Sequence, residues 1–206
     1  YSVSNELDRL GIPIVTIGNI ELDGDKSEIV CTDNATAGSD AANYLWSCGH
    51  RRFGVICMDR RNLCHRQRVE SFRQTVARLG GDPDEIYLRE YYHIAESLAP
   101  VVTELRNLGD RRPTALLSTN SLLTLKLLNG LHDAGLRVPD DLSLLSFEED
   151  RELAETIPPV TVLAQPTRSM GELAVRRVMK AIRGFESQNE EILRCSLVVR
   201  RSVKSI

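Results

Sequence analysis

The strongest constraint on the fold is a repeated alternation of short apolar segments with longer segments of helical period. The short segments are rich in β-branched residues and nearly continuous in hydrophobicity, which is typical of strands covered on both faces. The predicted strands are Ile12–Ile17, Phe53–Met58, Glu85–Leu88, Thr114–Ser118, Leu142–Phe147, Thr161–Ala164 and Leu197–Val199. Apolar residues three or four apart predict helices within 37–48, 69–79, 98–108, 125–131 and 170–182. This alternation predicts right-handed βαβ units and an α/β fold with a mostly parallel sheet.

The charge balance argues against direct contact with nucleic acid. The 206 residues include 26 Lys and Arg against 29 Asp and Glu, which gives a formal net charge of −3. Surfaces that hold the DNA backbone are usually strongly cationic, because their affinity comes from neutralising phosphates. We therefore expect this chain, taken alone, to be a poor nucleic-acid binder.

Hydropathy and cysteine usage bear on the compartment. The longest purely apolar runs are a few residues, far short of the roughly 20 needed to span a bilayer, so no membrane partner is expected. The five cysteines are an odd number without a Cys-x-x-Cys pair, a pattern that fits reduced thiols. Both observations predict a cytoplasmic protein. Because the sequence opens with Tyr1, we also expect that an upstream segment is missing.

Polar side chains occur at the ends of several predicted strands. Asn120, Glu148 and Tyr92 each follow a strand, and Arg68 lies in the first turns of the helix that follows Phe53–Met58. Ligands of open parallel sheets bind outside the carboxyl ends of the strands, so these four residues are the candidate ligand-binding residues. An amide, a carboxylate, an aromatic ring and a guanidinium suit a neutral, polyhydroxylated ligand. Taken singly, each residue also fits a helix cap or an ordinary surface side chain.

The sequence gives less evidence for a catalytic site than for a ligand-binding site. The sequence contains neither a Gly-x-Ser-x-Gly elbow nor a glycine-rich phosphate loop after a strand. Cys64 and His65 are adjacent, which does not make a catalytic dyad, and no Cys/His spacing resembles a zinc site. We expect a binding protein with no catalytic residues, metal or cofactor. A small α/β enzyme is the alternative, and it would lose activity on substitution of Cys64 or His65.

Several blocks resemble the lactose-repressor/galactose-repressor family of bacterial transcription regulators. They are Asp33-Asn34 with Gly38 and Ala41, Gly49-His50-Arg51-Arg52, Pro113-Thr114-Ala115 leading to Asn120, residues 134–143, Pro158-Pro159-Val160-Thr161, Gln165-Pro166, Met170-Gly171 and Leu197-Val198-Val199-Arg200. The likeness runs from about Ile12 to the end of the chain, with the blocks in the family's order and spacing.

The resemblance implies a two-lobed fold like that of periplasmic sugar-binding proteins (type I), with parallel sheets, flanking helices and an incomplete first lobe. The first lobe is expected at 1–52 and 165–186 and the second at 53–164 and 187–206, without the family's N-terminal helix-turn-helix headpiece. The implied function is ligand sensing in a repressor-like regulator that binds a small effector, a sugar or a nucleobase-like molecule. Operator DNA would be bound through the missing N-terminal domain, by a homodimer.

Residue by residue, Arg68 matches the family's effector-binding arginine and Asn120 its polar residue after a strand. Tyr92 lies near the family's pocket aromatic, and Glu148 stands where the family usually has Asp, which moves the carboxylate by about one carbon–carbon bond. The resemblance also implies self-association, for which the candidates are Leu122, Leu125, Thr156 and Ile157. Ordinary core packing is the alternative for these four residues.

A solute-binding receptor for sugar transport or chemotaxis with the same fold is the alternative function. The compartment separates the two functions, because a receptor needs a signal peptide and an oxidising space. Five unpaired cysteines favour the regulator.

Overall fold

The structure is a computed structural model, and it describes residues 6, 7, 9–18, 28–184 and 193–206. Its strands are β1 (Val15–Ile17), β2 (Glu28–Val30), β3 (Phe53–Met58), β4 (Tyr87–Tyr91), β5 (Ala115–Ser118), β6 (Ser143–Phe147), β7 (Thr161–Ala164) and β8 (Ser196–Val198). Its α-helices are α1 (Asn34–Ser47), α2 (Leu63–Arg78), α3 (Ala99–Asn107), α4 (Ser121–Asp133), α5 (Arg151–Glu155) and α6 (Thr167–Ile182). Short 3₁₀ helices cover Pro83–Glu85 and Gly109–Arg111.

Most of the strands form one six-stranded sheet in the order β4-β3-β5-β6-β7-β8. Neighbouring strands are parallel from β4 to β7, and β8 runs antiparallel to β7. This topology confirms the predicted α/β fold with a mostly parallel sheet. It also places the carboxyl ends of β4, β3, β5 and β6 along one edge of the sheet, hereafter the carboxyl edge.

Helices cover both faces of the large sheet, as the continuous hydrophobic strands predict. Alternate residues of β3 enter two different cores, with Ile56 on one side and Val55 on the other. The Ile56 side packs against α3 and α4, and the Val55 side packs against α1 and α2. Because the central strands β3, β5 and β6 are buried on both faces, polar side chains near them can reach solvent only at the strand ends.

The strands β1 and β2 form a separate two-stranded parallel sheet, covered by α6. Its apolar cluster consists of Val15, Val30, Met170, Leu173, Ala174 and Leu193. The chain passes between this small sheet and the large one at residues 31–33, 165–166 and 193–195. At the first and third passages, Thr32 forms a parallel bridge with Leu193, and the Asp33 main-chain N–H donates to the Leu193 carbonyl at 2.9 Å.

The packing of α1 corrects the expected boundary between the lobes. Residues 1–52 were expected in the first lobe, but Ala37, Ala41 and Leu45 share a core with the large sheet. Helical periodicity identifies the apolar face of α1 and does not specify which sheet that face covers. The parts of the expected lobes at 1–5, 8, 19–27 and 185–192 lie outside the described residues.

The structure also differs from the predicted secondary structure in a few short or polar segments. The predicted strand Glu85–Leu88 is shifted, because Asp82 caps a 3₁₀ turn over Pro83–Glu85 and the strand runs from Tyr87 to Tyr91. The sequence did not predict β2 or α5, which have three and five residues. Such segments are shorter than the window over which a period can be recognised.

The last residues of the chain lie beneath the amino ends of the central strands. The Ser202 hydroxyl donates to the Leu144 carbonyl at 2.5 Å, and the Ile206 main-chain N–H donates to the Cys48 carbonyl at 2.9 Å. The buried His50 ring contacts the Lys204 carbonyl at 3.0 Å and the Thr114 hydroxyl at 3.0 Å. The carboxyl edge of the sheet lies at the opposite end of the strands.

Candidate ligand-binding site

Two strand ends meet at the centre of the carboxyl edge. Because β5 and β6 are adjacent and parallel, Asn120 and Glu148 follow them side by side. The Asn120 Nδ2 donates to Glu148 Oε2 at 3.2 Å, and the Ser121 main-chain N–H lies 3.4 Å from the same oxygen. The structure thus joins two candidate residues that are 28 positions apart in the sequence.

Arg68 joins this pair from α2. Its side chain is only 2% exposed, and its Nη1 lies 3.5 Å from Glu148 Oε1. The same nitrogen donates to the Thr119 carbonyl at 3.0 Å, and the guanidinium carbon lies 4.5 Å from the centre of the Phe147 ring. Removing a guanidinium from water is costly, and these acceptors, the carboxylate and the aromatic face offset that cost.

The side-chain amide of Asn120 makes two hydrogen bonds, one through its oxygen and one through its nitrogen. Its oxygen accepts from the Leu123 main-chain N–H at 3.1 Å, so it caps α4. With the oxygen held by the helix, the Nδ2 group is directed at Glu148. The helix-cap interpretation and the candidate-site interpretation are therefore compatible at this residue.

Glu148 has an unusual backbone. Its φ is +73°, and among the described residues it is the one non-glycine residue with a positive φ. Such a conformation costs on the order of 1–3 kcal/mol and tends to occur at functional sites. Its carboxylate lies at the N-terminus of α4 and beside Arg68.

Tyr92 lies on the carboxyl edge but away from the cluster. It follows β4, which is separated from β5 by β3, and its side chain is 61% exposed. The Arg61 guanidinium carbon lies 5.4 Å from the centre of its ring. The structure therefore brings Arg68, Asn120 and Glu148 together and places Tyr92 at the outer part of the same edge.

His65 lies one turn before Arg68 on α2. Burial and the nearby Arg68 charge lower the pKa of His65 to about 4, so the ring is neutral at physiological pH. Its Nδ1 is buried and has no hydrogen-bond partner among the described residues. Elsewhere in the described part of the chain, no group of three or more His, Cys, Asp or Glu side chains could hold a metal ion.

The residues expected to mediate self-association differ in exposure. Ile157 is 95% exposed and Leu122 is 49% exposed, so both offer apolar surface. Leu125 packs against the core on the α3 and α4 side, in agreement with the alternative of core packing. The half-buried Thr156 hydroxyl bonds the Leu153 and Pro158 carbonyls.

Sequence reasoning did not assign a role to Asn34. Its Oδ1 accepts from Arg68 Nε at 2.9 Å, so it holds the second side of the guanidinium. The available signal was its position beside Asp33, the residue that caps α1. No local sequence pattern indicates that Asn34 contacts Arg68, which lies 34 positions later in the chain.

Comparison with known proteins assigns this chain to a family. Residues 42–203 match the periplasmic binding protein-like domain. The chain belongs to the periplasmic binding protein-like domain family. This assignment confirms the predicted fold class, and the relatives below confirm the resemblance to lactose-repressor/galactose-repressor regulators. Among the described residues, no helix is long and apolar enough to cross a membrane.

Curated relatives of this periplasmic binding protein-like chain are transcription regulators. It is 30% identical over 176 residues to the HTH-type transcriptional repressor CytR of Escherichia coli (strain K12), covering 84% of this chain and 51% of that protein. It is 30% identical over 180 residues to the HTH-type transcriptional regulator DegA of Bacillus subtilis (strain 168), covering 87% and 53%. The chain thus spans about half the length of these relatives.

Solved structures share the fold at lower sequence identity. A LacI family transcriptional regulator from Enterococcus faecium, solved with bound ribose, superposes with a TM-score of 0.86 at 21% identity, covering 99% of this chain and 75% of that one. A LacI family regulator from Enterococcus faecalis V583, also with bound ribose, gives a TM-score of 0.79 at 22% identity, covering 99% and 73%. At these identities the likeness concerns the fold.

Proposed function

We propose that this chain is the ligand-sensing part of a cytoplasmic bacterial transcription regulator. It binds a small polyhydroxylated effector, a sugar, at the carboxyl edge of the large sheet. Operator DNA is contacted through a segment outside this chain, and the protein acts as a homodimer. No catalytic step is assigned to any residue.

The observation that carries the proposal is the cluster of Arg68, Asn120 and Glu148 at the ends of two adjacent strands. Arg68 is buried and fixed on several sides, whereas the Glu148 side chain retains about a third of its exposure. A carboxylate with free lone pairs can accept two hydrogen bonds from neighbouring hydroxyls, the pattern that a sugar diol offers. The 3.5 Å separation of Glu148 Oε1 from Arg68 Nη1 is long for a hydrogen bond, so this oxygen can accept a shorter hydrogen bond from a ligand hydroxyl.

Two comparisons support this proposal over a receptor for solute transport. The curated relatives carry names of HTH-type transcriptional repressors and regulators. The structural neighbours from Enterococcus include regulators with bound ribose, which makes a pentose the first ligand to test.

The proposal is tested by ligand binding to the purified protein. Calorimetry and thermal unfolding are recorded with D-ribose, other pentoses, hexoses and nucleosides. A ligand that binds the native state raises the unfolding temperature by mass action, so at least one sugar is expected to raise it with saturable heat. Uniform absence of binding across the sugars, with a native circular dichroism spectrum, would reject sugar sensing. Binding of nucleosides alone would replace the ligand class.

A further inference from the structure

Asn34 lies between the candidate ligand site and the passage that joins the two sheets. Its side chain is buried at the first residue of α1, directly after the passage at residues 31–33. Its Nδ2 donates to the Thr32 carbonyl at 3.1 Å, and its Oδ1 accepts from Arg68 Nε at 2.9 Å. A single amide therefore contacts both regions.

Both ends of this connection are held by other contacts. On one side, Thr32 is bridged to Leu193, and the neighbouring Asp33 main-chain N–H donates to the Leu193 carbonyl. Two of the three passages between the sheets therefore meet at this point. On the other side, Arg68 contacts Glu148 and the Thr119 carbonyl at the carboxyl edge.

The chemistry of the position selects an amide. The Thr32 carbonyl needs a donor and the Arg68 Nε needs an acceptor, and an asparagine side chain supplies one of each. Aspartate would accept from Arg68 and from the Thr32 hydroxyl, which lies 3.5 Å from Asn34 Oδ1, but it would present no donor to the Thr32 carbonyl. Because the position is buried, a polar group left without a partner there is costly, and the two bonds reinforce each other.

We propose that Asn34 is a positioning residue that couples the candidate site to the connection between the two sheets. A change in the charge or hydrogen bonding of Glu148 moves the Arg68 guanidinium, and Asn34 passes that movement to Thr32 and to the bridge with Leu193. The inference rests on the proposed function, since it assigns the coupling to an occupied ligand site.

The coupling is tested without ligand by a double-mutant cycle. Glu148→Gln perturbs the site end, Asn34→Asp keeps the acceptor for Arg68 while removing the donor to Thr32, and the readout is the hydrogen-exchange rate of the Asp33 amide. In the parent background we expect Glu148→Gln to change that rate by at least about fivefold, the lower range of coupling between linked sites. In the Asn34→Asp background we expect a change below about twofold.

Two further variants keep the test decisive. Asn34→Leu has a similar size and removes all three hydrogen bonds of the amide, so it should abolish the effect of Glu148→Gln as Asn34→Asp does, provided that both variants keep the native circular dichroism spectrum. Thr75→Val is the matched control: it removes another hydrogen bond between α1 and α2, from Thr75 Oγ1 to Ser39 Oγ at 3.1 Å, together with the bond that Arg78 donates to Thr75 Oγ1. It should leave the effect of Glu148→Gln intact. An equal response of the Asp33 amide in all backgrounds overturns the coupling.

A ligand arm separates this inference from the proposed function. With D-ribose as the probe, or another panel sugar that binds, the Asp33 amide should exchange more slowly in the parent and at an unchanged rate in Asn34→Asp, although both bind. Binding that slows the amide equally in both proteins contradicts the coupling. A coupled cycle without any sugar binding contradicts only the proposed function.

Discussion

At the residue scale, the charged side chain of Arg68 is buried among specific partners, and those partners indicate its role in the cluster. Its guanidinium uses main-chain, amide, carboxylate and aromatic partners from α1 and from the ends of β5 and β6. An arginine meets such a set with a planar fork that lysine lacks. The residue is thus suited to hold Glu148 in place.

The first prediction concerns this fork. Arg68→Lys keeps the charge but loses bonds that depend on the planar group, so effector affinity should fall by about 1–3 kcal/mol, the range for a lost charged hydrogen bond. Calorimetry with the sugar identified in the ligand panel measures the change. Arg66→Lys, on the exposed side of the same helix, is the control and should bind as the parent does. Equal affinities for the parent and Arg68→Lys would remove Arg68 from the site.

The second prediction concerns the half-buried histidine His65. Its folded pKa of about 4 lies below the ordinary 6.5, so the unfolded chain takes up a proton first as the pH falls. Its contribution to stability is therefore present above pH 6.5 and is lost as the pH falls toward about 4.

Urea unfolding at pH 7.5 and pH 5.0 measures this effect. The loss of unfolding free energy between the two pH values should be about 2 kcal/mol smaller in His65→Leu than in the parent. The exposed His93 provides the control, because His93→Leu should reproduce the parent's loss. An unchanged loss in His65→Leu would show that this ring titrates alike in both states.

At the scale of elements, the contact between α1 and α2 depends on a glycine. A Cβ at Gly38 would lie 2.1 Å from Ser71 Oγ and 2.3 Å from the Arg68 carbonyl oxygen. The second atom belongs to the backbone of α2, so a side chain can be admitted only by moving the helices apart. Such a shift would also disturb Arg68 and Asn34, which are carried by these two helices.

The third prediction follows from this contact. Gly38→Ala should lower the unfolding free energy by about 1–3 kcal/mol through overpacking, although alanine favours helices. Gly171→Ala on α6 is the matched control, because a Cβ there meets nothing within 4 Å, and it should stabilise slightly. Chemical denaturation of both variants decides the point. Stabilisation by both substitutions would contradict the close approach of α1 and α2.

The sequence supports prediction of elements that are long or continuously apolar. The strand β3 was predicted with its observed bounds because all its residues are apolar or glycine, whereas β4 was displaced because Arg89 and Glu90 interrupt the apolar segment of this edge strand. The meeting of Asn120 and Glu148 followed from the rule on parallel strand ends. The contacts of Asn34 could not be predicted from the sequence, because they depend on which sheet α1 covers. No local sequence pattern specifies that packing.

At the scale of the whole molecule, exposed apolar residues suggest where a second copy would bind. Ile157 is almost completely exposed beside Pro158, while Leu125 and Thr156 are committed to contacts within the chain. A large apolar side chain in solvent gains about 1.5–3 kcal/mol when it is fully buried in an interface. Ile157 is therefore the best single position at which to test the proposed homodimer.

The fourth prediction is that Ile157→Asp weakens self-association. A charge at the interface would be desolvated without a partner, so the dimer dissociation constant should rise at least about tenfold. Sedimentation velocity over a range of concentrations gives the constant. Val175→Asp, on the exposed face of α6, is the control and should dimerise as the parent does. A parent protein that is monomeric at all concentrations would contradict the proposed dimer.

The position of the last residues has a practical consequence. Ile206 is held against Cys48 at the amino ends of the strands, and the Arg68 cluster lies at the opposite ends. A fluorophore or a surface anchor joined through a flexible spacer after Ile206 would lie away from the Arg68 cluster, where the effector is proposed to bind. The molecule is thus suited to immobilised binding assays in which the attached end does not compete with the analyte.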